Sequence, residues 1–193
     1  MKSFRSVAIL AILGLFILLS ACAPRTQARP EFAPFTGEPL TVYLLANDES
    51  AVGAIEVEAF QNPAFSQRFT LIDQNAVDIA LEQVAGAQRG LLEESTIAQV
   101  GGVLGVKHAV SVRVNFRDTR GRSLGLFDNM LDVGGDVETE AQISMRILDV
   151  ETGTVMAVGA GSSDRHDNAG EALAEAAQKA VDQLLVSYVS REG

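Results

Sequence analysis

One short stretch of the chain carries the side-chain types of a hydrolytic catalytic site. Residues Ser162 to Asp167 supply two serine hydroxyls, one histidine and two carboxylates, the groups that act as nucleophile, base and orienting acid in acyl transfer. Such groups work only when they converge in space, and residues this close in sequence seldom do so. The sequence therefore favours a solvated loop, and we predict no catalytic residue and no enzymatic activity.

The other residues with chemical potential also point to structural roles. His108 falls on an apolar strand face without a second metal-spaced His, Cys or carboxylate set, which indicates a hydrogen-bonded core residue and not a ligand. Gly159 and Gly161 lack a third glycine at phosphate-loop spacing, and the segment Gly102 to Gly105 lacks the Gly-Lys-Ser/Thr ending. We expect packing or turn glycines, no metal, no cofactor and no small-molecule substrate.

Cys22 is the only cysteine in the chain, and the residues before it indicate its use. The segment Leu19-Ser20-Ala21-Cys22 resembles a lipobox, in which small residues enter the signal peptidase and the thiol accepts a diacylglyceryl group. Before it, thirteen residues from Val7 to Leu19 are apolar except for Gly14. This is the length of a signal-peptide core and too short for a permanent membrane span. We predict a signal peptide over residues 1–21 and attachment of fatty acid, such as palmitate, to Cys22 as the anchor in the lipid bilayer.

Residues 22–39 are predicted to form a lipidated cysteine followed by an extended tether. The tether is rich in proline and polar residues, which keep a chain extended and unpacked. The residue after the cysteine is Ala23 and not Asp, a pattern that resembles outer-membrane sorting. The predicted location is therefore the outer membrane, with the domain of residues 40–193 facing the periplasm.

The charge of the chain argues against a nucleic-acid partner. Removal of residues 1–21 takes Lys2 and Arg5 from the 15 basic residues and none of the 25 acidic ones, so the net charge becomes about −12. Binding to nucleic acid rests on neutralised phosphates, which a strongly acidic chain does not supply. The remaining length suits one domain with a proper core.

The hydrophobic pattern predicts an α+β domain with a mostly antiparallel sheet of about five strands, covered by three or four helices. Clean alternation marks the strands, and apolar residues at helical spacing mark the helices. The predicted strands are Thr41–Ala46, Arg68–Ile72, Lys107–Phe116, Val137–Asp149 and Thr154–Gly159. The predicted helices span Asp48 to about Gln61, a segment around Val77 to Val84, a segment ending at Leu104, and the chain from about Ala169 onwards.

Several joints between these elements resemble those of the CsgG-like family. The residues are Arg68 to Asp73 leading towards Glu82-Gln83, the Ala98 to Val112 helix-to-strand joint, and Ile147-Leu148-Asp149-Val150-Glu151-Thr152-Gly153. The family includes the curli production assembly/transport component, and the periplasmic domain of LpoB-type activators of penicillin-binding proteins is related. The resemblance implies a fold similar to CsgG and to the N-terminal domain of TolB.

The sequence departs from the family pattern in two places. Gln74 stands where the family usually has a basic residue. The curli channel spans the membrane with two long hairpins per subunit, and the first would fall between Phe116 and Val137, where Asp118, Arg120, Arg122, Asp128, Asp132 and Asp136 lie. No segment corresponds to the second hairpin. We expect Arg117 to Gly135 to be an exposed loop, and membrane insertion of Phe116 to Val137 stays an open question.

The resemblance and the lipobox together imply a protein that binds other envelope proteins. The first hypothesis is a role in curli-type assembly or transport, or in envelope assembly more generally, with self-association into a ring as one open arrangement. The alternative is an LpoB-like activator of a cell-wall synthase or a flagellar accessory lipoprotein. The sequence leaves the partner, the cargo and the oligomeric state undetermined.

Overall fold

The computed structural model describes residues 30–84, 93–120 and 137–192. These residues form ten secondary-structure elements, which follow from alternating apolar residues in the strands and from capping residues at the helices. In chain order they are β1 (Leu40–Ala46), α1 (Glu49–Gln61), α2 (Pro63–Arg68), β2 (Phe69–Leu71), α3 (Gln74–Gln83), α4 (Glu94–Leu104), β3 (His108–Arg120), β4 (Val137–Asp149), β5 (Val155–Ser162) and α5 (Ala169–Glu192). The chain divides into two units, Met1–Pro30 and Glu31–Gly193, and all ten elements belong to the second.

The five strands form one sheet in the order β2-β1-β3-β4-β5. β1 pairs in parallel with β2 and with β3, whereas β3–β4 and β4–β5 are antiparallel. The long β3–β4 pairing is the largest of the four, from His108 opposite Asp149 to Arg120 opposite Val137. The predicted α+β fold with a mostly antiparallel five-stranded sheet is confirmed, and five helices accompany it.

The larger part of the core lies on one face of the sheet. Every second residue of β3 and β4 points to this face, because side chains alternate along a strand. Val110, Val112, Ile143 and Met145 are buried there against α1, α2 and α5. At about 25 cal/mol per Å² of apolar surface, this face supplies most of the hydrophobic stabilisation of the domain.

Of the described helices, α3 and α4 lie on the opposite face and cover part of it. Tyr43 and Leu45 of β1 pack there against Val77 of α3 and Val100 of α4. The Tyr43 hydroxyl donates a hydrogen bond to the carbonyl of Ile97, and burial raises the pKa of Tyr43 well above its ordinary value. This smaller core lies over the β2–β1 half of the sheet and the start of β3.

Two helix caps and the turns around two glycines fix the ends of these elements. Asp48 accepts from the Ser50 N–H at 2.9 Å, and Asn168 accepts from the Gly170 N–H at 2.7 Å, as N-caps do. Gly105 closes α4 with φ 66°, and Gly153 makes the β4–β5 turn with φ 69°. Both glycines occupy the left-handed region that other residues avoid.

Several boundaries differ from the prediction; β5, for example, runs to Ser162 and not to Gly159. The sequence pattern does not predict α2, which takes up Arg68, so β2 is shorter than expected at Phe69–Leu71. β3 continues past Phe116 to Arg120, since its antiparallel pairing with β4 runs to that residue. The predicted loop from Arg117 to Gly135 therefore begins as strand, and residues 121–135 of it lie outside the described residues.

Candidate interaction surface

The second face of the sheet is left uncovered by the described helices where it is formed by β3, β4 and β5. α3 and α4 lie over the β2–β1 half, and α5 packs on the other face. The uncovered area begins at Arg113 on β3 and Arg146 on β4. We call it the open arginine face, and its residues are Arg113, Asn115, Arg117, Glu140, Gln142, Ser144, Arg146, Val158, Ala160 and Ser162.

The strand register determines which charged residues are neighbours on the open arginine face. Arg117 lies directly opposite Glu140, whereas Arg113 is opposite Ser144 and Arg146 is opposite Ser111. Arg113 and Arg146 are thus diagonal neighbours across two strands, within reach of one another's long side chains. None of the ion pairs between described residues includes either of them. Within residues 30–84, 93–120 and 137–192, these two neighbouring guanidinium groups therefore have no carboxylate in an ion pair.

Small side chains make this face shallowly concave along β4 and β5. A groove of about 420 Å³ follows the two strands beside the arginines. It is lined by Asn115, Gln142, Ile143, Ser144, Ala160, Gly161, Ser162 and Gln183. A second groove shares Ser144, Ala160 and Gln183 with it and is also lined by Arg146 and by Val158, which is 49% exposed. A polar floor with small residues and flanking arginines suits a protein surface more than an apolar small molecule, because small-molecule pockets are mostly apolar.

The free edge of β5 is covered by side chains of α5. Four residues spaced about one helical turn apart, Lys179, Gln183, Ser187 and Arg191, point along this edge. Gln183 and Ser187 accept from the N–H groups of Ala160 and Val158 at 3.2 and 3.1 Å. Lys179 donates to the Ser162 carbonyl at 2.9 Å, and Arg191 donates to the Met156 carbonyl at 3.0 Å. Addition of a further strand at this edge would have to break these bonds.

Ser162 is the last residue of β5, and the residues after it form a loop that stays bonded to β4. Ser163 is buried and contacts Ala141 twice, donating from its N–H to the Ala141 carbonyl and accepting at its hydroxyl from the Ala141 N–H, both at 2.9 Å. His166 pairs with Thr139 through two backbone hydrogen bonds of 2.7 and 3.0 Å. The Ser163 hydroxyl is thus bonded to Ala141, whereas the His166 ring is bonded to Glu175. The backbone pairing with Thr139 continues the sheet beyond the end of β5.

Glu175 of α5 holds this loop in place. Its carboxylate accepts from His166 Nε2 at 2.6 Å, from Lys179 Nζ at 2.6 Å and from the Asp164 N–H at 3.1 Å. Burial alone would raise the pKa of Glu175, but these hydrogen bonds outweigh it and lower the pKa to about 2. The hydrogen bond to Glu175, helped by the charges of Glu171 and Asp164, raises the pKa of His166 above 6.5.

Replacing His166 by glutamine is expected to destabilise the domain more at about pH 5.5 than at about pH 8.5. Because the folded-state pKa of His166 is raised, its contribution is fully present below pH 6.5 and is lost as the pH rises through the raised value. Glu175 is ionised throughout this range. Partly exposed pairs contribute about 0.5–1 kcal/mol, which urea unfolding at both pH values resolves.

The control for this experiment is Arg165→Gln on the same loop. Arg165 forms an ion pair with Glu138 at 3.5 Å that involves no histidine, so its small effect should be equal at the two pH values. If His166→Gln had the same effect at both pH values, as the control should, protonation of His166 would contribute nothing to stability.

The sequence also made predictions for Cys22, His108 and the two glycines of β5. Cys22 lies outside the described residues. His108 is half-buried, so its predicted core position is wrong, because it is the first residue of β3, at the rim of the sheet. Gly159 and Gly161 lie directly against the backbone of α5, as expected for glycines that allow close packing.

Residues 30–84, 93–120 and 137–192 hold neither a metal cluster nor a membrane-spanning helix. No group of three or more His, Cys, Asp or Glu side chains in these ranges is arranged to hold a metal ion. Every helix within them is too short or too polar to span a bilayer.

Several solved structures are similar to this chain, each at low sequence identity and with a low TM-score. No protein-family model and no curated protein matches the sequence. The PelC dodecamer from Paraburkholderia phytofirmans is 14% identical with a TM-score of 0.42, over 82% of this chain and 94% of that one. The LpoB C-terminal domain from Salmonella enterica is 15% identical with a TM-score of 0.41, over 67% and 85%. Lipoprotein GNA1162 from Neisseria meningitidis is 13% identical with a TM-score of 0.42, over 80% and 97%.

The structures that this chain is similar to thus include bacterial lipoproteins and LpoB domains. All of these TM-scores lie below 0.5.

Proposed function

We propose that this chain is a non-enzymatic, CsgG-like lipoprotein that works by binding other envelope proteins. In this proposal, acylated Cys22 anchors it to the outer membrane and the domain faces the periplasm. The observation that carries the proposal is the open arginine face, where half of one sheet surface lies outside the cover of the described helices. It presents Arg113 and Arg146, which form no ion pair with any described residue.

The chemistry of this face indicates an acidic partner surface. Arginine is enriched at protein interfaces because its planar group binds carboxylates with two hydrogen bonds and stacks on flat surfaces. Arg113 and Arg146 repel one another, so a carboxylate placed between them relieves that repulsion as well as forming new bonds. The groove beside them gives a partner side chain a place to enter.

The first role we propose is in curli-type assembly or transport, which the resemblance of the joint residues implies. The alternative is activation of a cell-wall synthase, or a flagellar accessory role. The charges of the segment between Phe116 and Val137 favour the alternative, because a membrane-spanning hairpin needs an unbroken lipid-facing row there.

A photo-crosslinking residue at Ser144, in the middle of the open arginine face, tests the proposed contact in living cells. We expect a discrete adduct with an envelope protein, and loss of most of that adduct when Arg113→Glu and Arg146→Glu are combined. Reversing the charges of Arg113 and Arg146 replaces attraction to an acidic partner by repulsion. Such a change typically weakens binding by at least about 2 kcal/mol, or roughly thirtyfold.

The matched control is Lys107→Glu, which reverses an exposed charge away from this face. The Lys107 side chain is 67% exposed and pairs with Glu151 at 3.2 Å, so the adduct should persist. An adduct that survives the double reversal, or one that forms equally from position 151, would contradict the proposed surface.

The phenotype of the same double variant separates the two roles. Loss of extracellular amyloid fibres with normal resistance to cell-wall antibiotics would support the curli-type role. Sensitivity to those antibiotics, or loss of swimming with normal fibres, would support the alternative.

A further inference from the structure

The segment just before β1 is held against the domain by a buried arginine. Arg68, the last residue of α2, is only 3% exposed. Its guanidinium carbon lies 5.8 Å from the ring centre of Phe32 and 5.3 Å from that of Phe35. Both distances fall within the range of favourable cation–π contacts.

Hydrogen bonds join the same two parts of the chain. One terminal nitrogen of Arg68 donates to the carbonyl of Ala33 at 2.9 Å, and the other donates to the carbonyl of Ala64 at 3.1 Å. Arg68 Nε is buried and has no partner among the described residues. No ion pair between described residues includes Arg68, so the segment from Phe32 to Phe35 supplies three of the contacts that compensate its charge.

This arrangement is costly unless the segment stays in place. A buried guanidinium needs partners for its charge and its N–H groups, and loss of them carries a desolvation penalty. Phe32 also packs against the larger core, so the segment buries apolar surface as well. The compact unit that contains the domain accordingly begins at Glu31.

We propose that Arg68 is a latch that fixes residues 31–36 to the domain and so shortens the lipid tether. Residues 23–39 would give a free linker of 17 residues, whereas docking leaves the 8 residues of 23–30. A fully extended chain covers at most about 3.4 Å per residue, so the reach from the lipid falls from about 58 Å to about 27 Å. The domain would then work close to the membrane surface. This consequence rests on the proposed lipid attachment at Cys22, although the latch itself does not.

Limited proteolysis of the full-length protein tests the latch. A glutamate-specific protease can cut after Glu31, the first docked residue, and after Glu38, just beyond the docked segment, and both residues stay intact in all variants. We expect both Arg68→Met and the pair Phe32→Ala/Phe35→Ala to be cut at least about tenfold faster than the native protein, because they remove two or more of the docking contacts. The double phenylalanine variant leaves every residue of the sheet and helices unchanged, so it separates release of the segment from unfolding.

Phe60→Ala is the matched control, because it removes an aromatic ring that is 73% exposed on α1 and has no part in the latch. Its cleavage rate should equal that of the native protein. Equal rates in all four proteins would overturn the latch.

Energy transfer in vesicles tests the shortened tether. A fluorophore on a cysteine that replaces Glu151 should transfer energy to acceptor lipids more efficiently in the native lipoprotein than in the two latch variants. Faster cleavage without a change in transfer would overturn the shortened reach. Failure of every form to associate with vesicles would instead overturn the lipid anchor of the proposed function, while the proteolysis result would still decide the latch.

Discussion

Replacing Gly161 by alanine is expected to destabilise the domain by about 3 kcal/mol or more, at the top of the range for overpacking. A Cβ at Gly161 would lie 2.1 Å from the Ala176 carbonyl oxygen and 2.7 Å from the Ala180 nitrogen, both backbone atoms of α5. Backbone cannot rotate away as a side chain can, so α5 must move off β5. That movement would also disturb the hydrogen bonds that join Lys179 and Gln183 to the β5 edge.

Urea unfolding measures this effect as a lower midpoint with an unchanged slope. Native domains have only about 5–15 kcal/mol of stability, so the loss is a large fraction of the whole. Gly53→Ala is the control, because a methyl group added at Gly53 of α1 would meet no described atom within 4 Å. Alanine is the better helix former by about 0.5–1 kcal/mol, so the control should be slightly more stable than the native protein. Two variants of equal stability would mean that α5 does not lie on β5 at this distance.

Elements with a strong local signal could be predicted from the sequence. β4 alternates over its whole length, and the predicted span Val137–Asp149 is the observed one. The caps Asp48 and Asn168 follow from residue type and position, since their side chains satisfy N–H groups that a helix leaves free. These features depend on near neighbours alone.

Short elements were harder to predict, although α2 has a signal of its own. Asn62 caps this six-residue helix by accepting from the Ala64 N–H at 3.1 Å, and Pro63 occupies its first position. An Asn-Pro pair is typical of a helix start, but the segment is too short for an apolar period to show. Periodicity alone therefore predicts no element there and assigns Arg68 to the following strand.

The candidate surface could be predicted only in part, because it depends on where the helices pack. Alternation already indicates that Arg113 and Arg146 point away from the main core. It does not indicate that the described helices leave this side uncovered. That follows from the path of the chain. α3 and α4 lie over β1, a short turn without a helix joins β4 to β5, and α5 packs on the other face of the sheet. Similarly, nothing in the spacing of Phe32, Phe35 and Arg68 indicates that they meet.

Replacing Cys22 by alanine is expected to abolish lipid attachment and cleavage after Ala21 completely. The thiol is the only nucleophile of its kind in the chain, so no other residue can accept the diacylglyceryl group. The processing peptidase acts on the lipidated form, and the variant should therefore keep residues 1–21. Metabolic labelling with a radioactive fatty acid and the size of the protein on a gel report the two steps separately.

Membrane association is not the right readout for this variant. An unprocessed chain keeps the thirteen residues from Val7 to Leu19, apolar except for Gly14, which hold a precursor at the inner membrane without any lipid. The mature protein should instead be held by its acyl chains, at about 0.8 kcal/mol for each buried methylene, which makes more than one chain a stable anchor. Ala23→Asp is the matched control: it should still be labelled and cleaved, but should move from the outer-membrane to the inner-membrane fraction of a density gradient. Fatty-acid label on Cys22→Ala would show that the lipid is attached elsewhere, and unchanged fractionation of Ala23→Asp would remove the basis for the predicted sorting.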